Sequence, residues 1–167
     1  MIDGTVKTIV RGLNEAEVRY LIAGGLAVIA HGYTRYTGDV DLILDLDPEN
    51  VLRAMHVLKN EGYAPKVPVP IEQFSDAGLR DLWAEEKGMV AFPLWSDRYQ
   101  GVFVDIFIRA PFDFDEAYAE CLNHEVAPDL SATFVSLEKL LFLKRQANRP
   151  KDLQDIYYLS EINKEML

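Results

Sequence analysis

The chain has 167 residues, 49% of them hydrophobic and 26% charged, a balance that suits one soluble globular domain with a substantial core. Seventeen basic residues against 27 acidic ones leave a formal charge of −10, which argues against a broad, non-specific nucleic-acid surface. No apolar stretch approaches the roughly 20 residues of a membrane helix, and a single cysteine, Cys121, excludes an internal disulfide.

Val6, Ile9, Val10 and Leu13 recur at helical spacing over residues 4–13 and predict an amphipathic helix packed on the core. Residues 14–18 link it to the apolar run 20–23, which reads as a strand and stops at Gly24-Gly25. That glycine pair lets the backbone turn tightly and expose its N–H groups. Residues 26–30 are apolar all round and predict a buried helix starting at the glycines. A helix N-terminus reached through glycines is suited to phosphate. The following strand opens with Asp39 and Asp41. Side chains alternate across a strand, so both carboxylates project from one face while Val40, Leu42 and Leu44 take the other. A phosphate cradle followed closely by paired acids suggests a bound nucleotide and a divalent metal.

Asp47-Pro48-Glu49-Asn50 reads as a helix start, with Asp47 as N-cap and Pro48 in the first turn. Val51, Leu52, Met55 and Leu58 form the predicted apolar face, and Gly62 ends the helix. Residues 63–70 hold three prolines, so they form an edge strand or a loop. Residues 71–87 read as a further helix with Phe74, Leu79, Leu82 and Trp83 inside, and residues 89–94 and 102–108 as two strands joined by a hairpin connection. Asp105 is the only polar side chain in the second of these, and a carboxylate there is costly unless it is exposed, paired or bound to metal. Phe112, Phe114, Tyr118 and Leu122 are read as one face of a helix, and residues 132–135 as a short strand. Ser136 caps a helix running through Leu140, Leu141 and Leu143, Arg149-Pro150 breaks it, and Leu153, Ile156 and Tyr157 define the last helix. The order predicts an α/β fold, a mixed sheet flanked by helices.

Gly24-Gly25, followed by Arg35-x-Thr37-x-Asp39-x-Asp41-Leu42, resembles the nucleotidyltransferase superfamily with the polymerase-beta-like core. Within it the chain looks most like the small bacterial enzymes of the AbiEii toxin and lincosamide-adenylyltransferase type. The resemblance covers Tyr20 to Ile108. A looser one returns over Glu138 to Asp152, where a Lys-Leu pair starts one helix and an Arg and Lys-Asp set starts the next. The implied organisation is one domain over residues 1–167, with the core at about 14–110 and C-terminal helices over about 111–167.

The resemblance implies metal-dependent transfer of a nucleoside monophosphate from an NTP, ATP first, to an acceptor hydroxyl. Asp39 and Asp41 would hold Mg²⁺ or Mn²⁺ against the triphosphate, and Asp105 would complete a second metal site and help deprotonate the acceptor. Gly24 and Gly25 would cradle phosphates through backbone N–H groups. Arg35 is either a phosphate contact or a surface arginine, and Thr37 either touches nucleotide or organises the turn. Lys139 is a candidate nucleotide contact and Asp152 a candidate organiser, although solvated helix faces explain the same letters. His31 reads as a helix-end residue, His56 and His124 are isolated, and Tyr33, Tyr36, Tyr157 and Tyr158 read as packing or base-stacking aromatics.

The acceptor is open between a small molecule, tRNA and a protein side chain, since relatives use all three. An RNA-modifying toxin would carry an antitoxin partner. Cytoplasmic location, without membrane, is the expectation from the single cysteine and the lack of a signal-like start. The rival reading is an inactive nucleotide-binding or regulatory module with the same fold. A metal-dependent phosphatase or nuclease also uses clustered acids, but leaves Gly24-Gly25 unexplained.

Overall fold

The computed structural model describes residues 3–167 and builds them around one mixed seven-stranded sheet. In chain order the elements are α1 (Gly4–Glu15), β1 (Tyr20–Ala23), α2 (Gly24–Ala30), β2 (Asp39–Leu44) and α3 (Pro48–Asn60). Then come β3 (Tyr63–Pro65), a 3₁₀ turn (Ile71–Ser75), α4 (Ala77–Lys87), β4 (Ala91–Ser96) and β5 (Phe103–Phe107). The chain closes with α5 (Phe114–Ala119), β6 (Leu122–Ala127), β7 (Leu130–Phe134), α6 (Leu137–Ala147) and α7 (Pro150–Ile162). Across the sheet the strands run β3-β4-β5-β2-β1-β7-β6. β2 is parallel to β5 and β1 to β7, and the remaining neighbours are antiparallel.

Local chemistry explains the element ends. Asp3 caps α1 by accepting from the Thr5 N–H, and Val6, Ile9, Val10 and Leu13 are its buried stripe, as their spacing predicts. Asp47 accepts from the Glu49 and Asn50 N–H groups at the start of α3, with Pro48 in the first turn. Gly62, at φ +85°, carries the chain out of α3 in a left-handed conformation that other residues rarely adopt. Ser136 accepts from the Lys139 N–H and starts α6.

One face of the sheet is largely hydrocarbon. Val40, Leu42, Leu44, Val104, Ile106, Phe92 and Leu94 are fully buried there. Phe74 and Trp83 stack on Phe92 from above, with centroids 5.1 and 5.3 Å away, which seats the 3₁₀ turn and α4 on this face beside α3 and α1. The other face receives α2, α6 and α7 over β1 and β2, while its β3–β5 half stays open.

Several readings of the sequence need correction. Residues 71–87 are not one helix: Asp76 ends the 3₁₀ turn and caps α4 by accepting from the Leu79 N–H. Leu82 is 42% exposed, Leu79 is half-buried and Leu52 on α3 faces solvent, while Arg80 goes inside and donates to the Phe74 carbonyl at 2.6 Å. Leu122 begins a strand instead of continuing a helix face. β6 was hidden because its polar Asn123, His124 and Glu125 lie on an exposed edge and show no apolar alternation. On α7 the inward side is Asp152, Asp155 and Leu159, whereas Leu153 is 54% and Tyr157 62% exposed.

Candidate active site

Register brings the three acids together. Asp41 on β2 lies directly opposite Asp105 on β5, and Asp39 lies opposite Phe103. Because Val40, Leu42, Val104 and Ile106 are locked into the hydrocarbon face, alternation sends Asp39, Asp41 and Asp105 to the other one. This is the arrangement that Asp-x-Asp and the lone polar residue of 102–108 predict.

The glycine turn presses against these acids. Gly24 has φ +61° and its Cα stands so near Asp41 that a Cβ would overlap the Asp41 carboxylate. At Gly25 a Cβ would lie 2.5 Å from Thr37 Oγ1 and 3.2 Å from Arg35 Nη1. Both positions therefore demand glycine through close approach, and Gly24 through conformation as well. Thr37 fills the space that Gly25 leaves.

Burial and mutual repulsion dominate the electrostatics. Burial, then Asp105 and Asp39, push the Asp41 carboxyl up to about 6, against the pull of Lys144 and Arg149. Burial and Asp39 raise Asp105 too, while Lys66 opposes the shift. Three carboxylates on one face thus lack a full complement of positive charge.

Across from them stands a buried ion cluster. Lys144 Nζ on α6 donates to Asp152 Oδ1 at 3.0 Å and contacts Asp155 Oδ2 at 2.8 Å, with all three side chains at most 5% exposed. Arg149 closes on Asp152 through Nε at 2.6 Å and Nη2 at 3.2 Å, and its backbone N–H donates to Asp152 Oδ2 at 3.1 Å at the start of α7. Burial alone would raise Asp152, but the hydrogen bonds from Arg149 and Lys144 pull its carboxyl down to about 2. Arg35 makes a two-point pair with Asp155, Nε to Oδ1 at 2.8 Å and Nη2 to Oδ2 at 2.9 Å. Its remaining nitrogen donates to the Tyr36 carbonyl. The cluster therefore ties the 31–38 loop, and through Thr37 the Gly24-Gly25 turn, to both C-terminal helices.

Between the acids and this cluster lies a cleft of about 840 Å³. Gly24, Asp41 and Asp105 line one side and Lys144 and Arg149 the other, with Phe107, Leu140 and Leu143 among its apolar walls. Lys139 is elsewhere, 3.5 Å from Glu116 Oε1 with its ammonium over the Phe112 ring. His31 caps α2 and hydrogen-bonds the Val135 carbonyl at 2.9 Å. Tyr33 stacks on Tyr158 at 4.6 Å, whereas Tyr36 stands in solvent. Reading the sequence singled out neither Lys144 nor Asp155. The available signal was the i, i+3 pair Asp152 and Asp155, which must share one helix face.

Among the described residues, no group of three or more His, Cys, Asp or Glu side chains forms a ready-made metal cage. Mg²⁺ rarely needs one: it keeps several waters and takes one or two carboxylates plus substrate phosphates. The donor set fits such a hard cation, since Asp39, Asp41 and Asp105 offer oxygens alone and repel one another in its absence.

No family model matches the chain, and no curated protein matches it in sequence. Solved structures do. LnuA, a lincosamide antibiotic adenylyltransferase solved with lincomycin bound, superposes with a TM-score of 0.65 at 16% identity, over 97% of this chain and 98% of that one. The fold is that of the nucleotidyltransferases. ANT(2″)-Ia in complex with adenylyl-2″-tobramycin gives a TM-score of 0.59 at 15% identity, covering 97% of this chain and 87% of its own. The Thermotoga maritima protein TM1012 gives 0.55 at 16% identity, covering 93% and 91%. The nucleotidyltransferase fold accounts for the mixed sheet with helices expected from the sequence. Among the described residues no helix is long and apolar enough to cross a membrane.

Proposed function

We propose that this protein transfers a nucleoside monophosphate from an NTP, with Mg²⁺ or Mn²⁺, to a hydroxyl of an acceptor. The observation that carries the reading is the pairing of Asp41 and Asp105, side by side beneath a cleft whose opposite wall is Lys144 and Arg149. Anionic and cationic walls facing one another suit a metal-bound triphosphate. The antibiotic adenylyltransferases LnuA and ANT(2″)-Ia share the fold and favour ATP as donor.

In this reading Asp39 and Asp41 would hold the metal, and Asp105 would complete a second metal site and accept the proton of the attacking hydroxyl. The metal, when bound, supplies charge neutralisation for the triphosphate. The Gly24-Gly25 turn offers backbone N–H groups to the outer phosphates, with Thr37 and Arg35 fixing the turn from behind. Lys144 has three N–H donors, of which Asp152 and Asp155 engage two, so one remains for the cleft. Lys144 and Arg149 thus serve the phosphate side in place of Lys139. The apolar walls at Phe107, Leu140 and Leu143 suit the nucleoside.

The test is transfer of α-labelled ATP, GTP, CTP and UTP to a cell extract separated into RNA, protein and small-molecule fractions. Label in one fraction, absent with EDTA and with the Asp39→Asn, Asp41→Asn protein, is the expected outcome. Label in RNA would bring an antitoxin partner and the AbiEii-like reading with it. A folded protein that binds NTP but labels nothing is a binding module.

A further inference from the structure

Reading the sheet from side to side fixes where the acceptor must stand. The order is β1, β2, β5, β4, β3, so Gly24 lies on one flank of Asp39 and Asp41 while Asp105 and then β4 lie on the other. In phosphoryl transfer the attacking oxygen and the leaving group are roughly in line across phosphorus. If pyrophosphate leaves toward the Gly24-Gly25 turn, the attacking hydroxyl arrives from over β5 and β4.

That flank carries a strip of ring surface, with the Lys66 side chain lying over part of it. Pro93 lies opposite Asp105, so alternation places Pro93 and Trp95 on the same face as the acids, and Phe103 lies beside Asp39. Trp95 is 41% exposed, and Pro93 and Phe103 are half-buried. Tyr36, 88% exposed, folds back over Gly38 at the head of β2, where a Cβ would lie 3.4 Å from the Tyr36 hydroxyl. Lys66 holds its ammonium 3.7 Å above the Phe103 ring.

We infer that Tyr36, Pro93, Trp95 and Phe103 form the acceptor platform, and that it takes a small ring-bearing molecule with a flat apolar face and a free hydroxyl. The inference rests on the nucleotidyl-transfer reading. Continuity with the acid row is the first argument, because the platform begins at the strand positions beside Asp39 and Asp105. Charge is the second. Asp39 and Asp105 border the strip and Lys66 holds its ammonium over Phe103, on a chain of net charge −10. With those acids engaged by the metal in this reading, a neutral ring stacks there without opposing charge, whereas a cationic one meets the Lys66 ammonium.

Kinetics on the full-length protein with α-labelled ATP, Mg²⁺ and the small-molecule fraction of a cell extract test this. Trp95→Ala and Tyr36→Ala remove exposed rings and leave the core intact. Each should raise the acceptor concentration needed for half-maximal labelling by about tenfold, as loss of one stacking partner does. ATP affinity, read by thermal shift, should remain at the wild-type value, and Tyr157→Ala, an exposed ring on α7, should change neither. If the wild-type protein binds ATP but labels RNA or protein, or if Trp95→Ala and Tyr36→Ala leave small-molecule labelling unchanged, the platform assignment fails alone. If the wild-type protein binds no NTP, or binds it and labels nothing, the nucleotidyl-transfer reading fails and the platform with it.

Discussion

The two faces of this sheet solve opposite problems. The face beneath α1, α3 and α4 is filled with Val40, Leu42, Val104, Ile106, Phe92 and Leu94, each fully buried, with Phe74 and Trp83 stacked upon Phe92. It removes apolar surface from water, and the few polar groups buried there, such as Arg80 and Asn50, are hydrogen-bonded to backbone carbonyls. The face beneath α2, α6 and α7 carries Asp39, Asp41 and Asp105 next to Lys144, Asp152, Asp155, Arg35 and Arg149. There, stability depends on matching charges, and the match is deliberately incomplete: the C-terminal cluster is satisfied, while the acid row is not. A surplus of negative charge costs stability, and the proposed metal would offset it. One side of the sheet stabilises the fold and the other holds a site under electrostatic tension.

Experiments that separate the faces follow, largest effect first. Asp39→Asn with Asp41→Asn should cut nucleotidyl transfer by on the order of a thousandfold or more, since metal-assisted stabilisation is worth several kcal/mol. Its melting temperature should not fall. A drop in both would mean that the acids are part of the stabilising framework. Lys144→Ala removes the ammonium that Asp152 and Asp155 share but leaves each its arginine, and should cost about 3 kcal/mol in denaturant unfolding, for two hydrogen bonds to charged groups. Leu42→Ala on the opposite face should cost about 2–5 kcal/mol by leaving a cavity, with activity per folded molecule retained.

The acid row should also show itself in pH dependence. Folding raises the Asp41 pKa from its ordinary value of 3.8 to about 6, so the folded state holds that proton more tightly. Stability is therefore lost as pH rises from about 4 through 6, by about 2–3 kcal/mol for a shift of this size. Asp41→Asn should recover it at pH 8, with the gain vanishing near pH 4, in urea titrations without divalent metal. Asp152 behaves in the opposite sense. Its carboxyl is depressed to about 2, so its contribution is present above about pH 4 and disappears as pH falls toward 2. An Asp152→Asn protein should be the weaker at pH 7 and lose that deficit in acid. Leu153→Ala, on the exposed side of α7, should change stability by no more than about 0.5 kcal/mol. A larger loss there would place Leu153 in an interface.

Much of the site was legible in the order of residues because its parts are local. Strand alternation alone puts Asp39 and Asp41 on one side of β2, and a glycine pair before an apolar helix announces a tight turn. Asp105 stood out as the one polar residue of its strand. What local pattern missed depends on distant partners. Asp152 and Asp155 look like the wet side of α7 until Lys144, Arg149 and Arg35 meet them, and then they become its buried side. β6 pairs only with β7 and keeps a polar exposed face, so no hydrophobic period marks it.

Short-range order by itself determined the acid strand, the glycine turn, the capped starts of α3 and α6, and a mixed α/β fold, because backbone geometry and alternation act within a few residues. Only the tertiary structure decided that Asp41 and Asp105 are strand neighbours, that Lys144 rather than Lys139 faces the cleft, and that Arg35 clasps α7. Each of those is a pairing of residues far apart in the chain, and the energy of a buried charge is set by whatever the fold brings beside it.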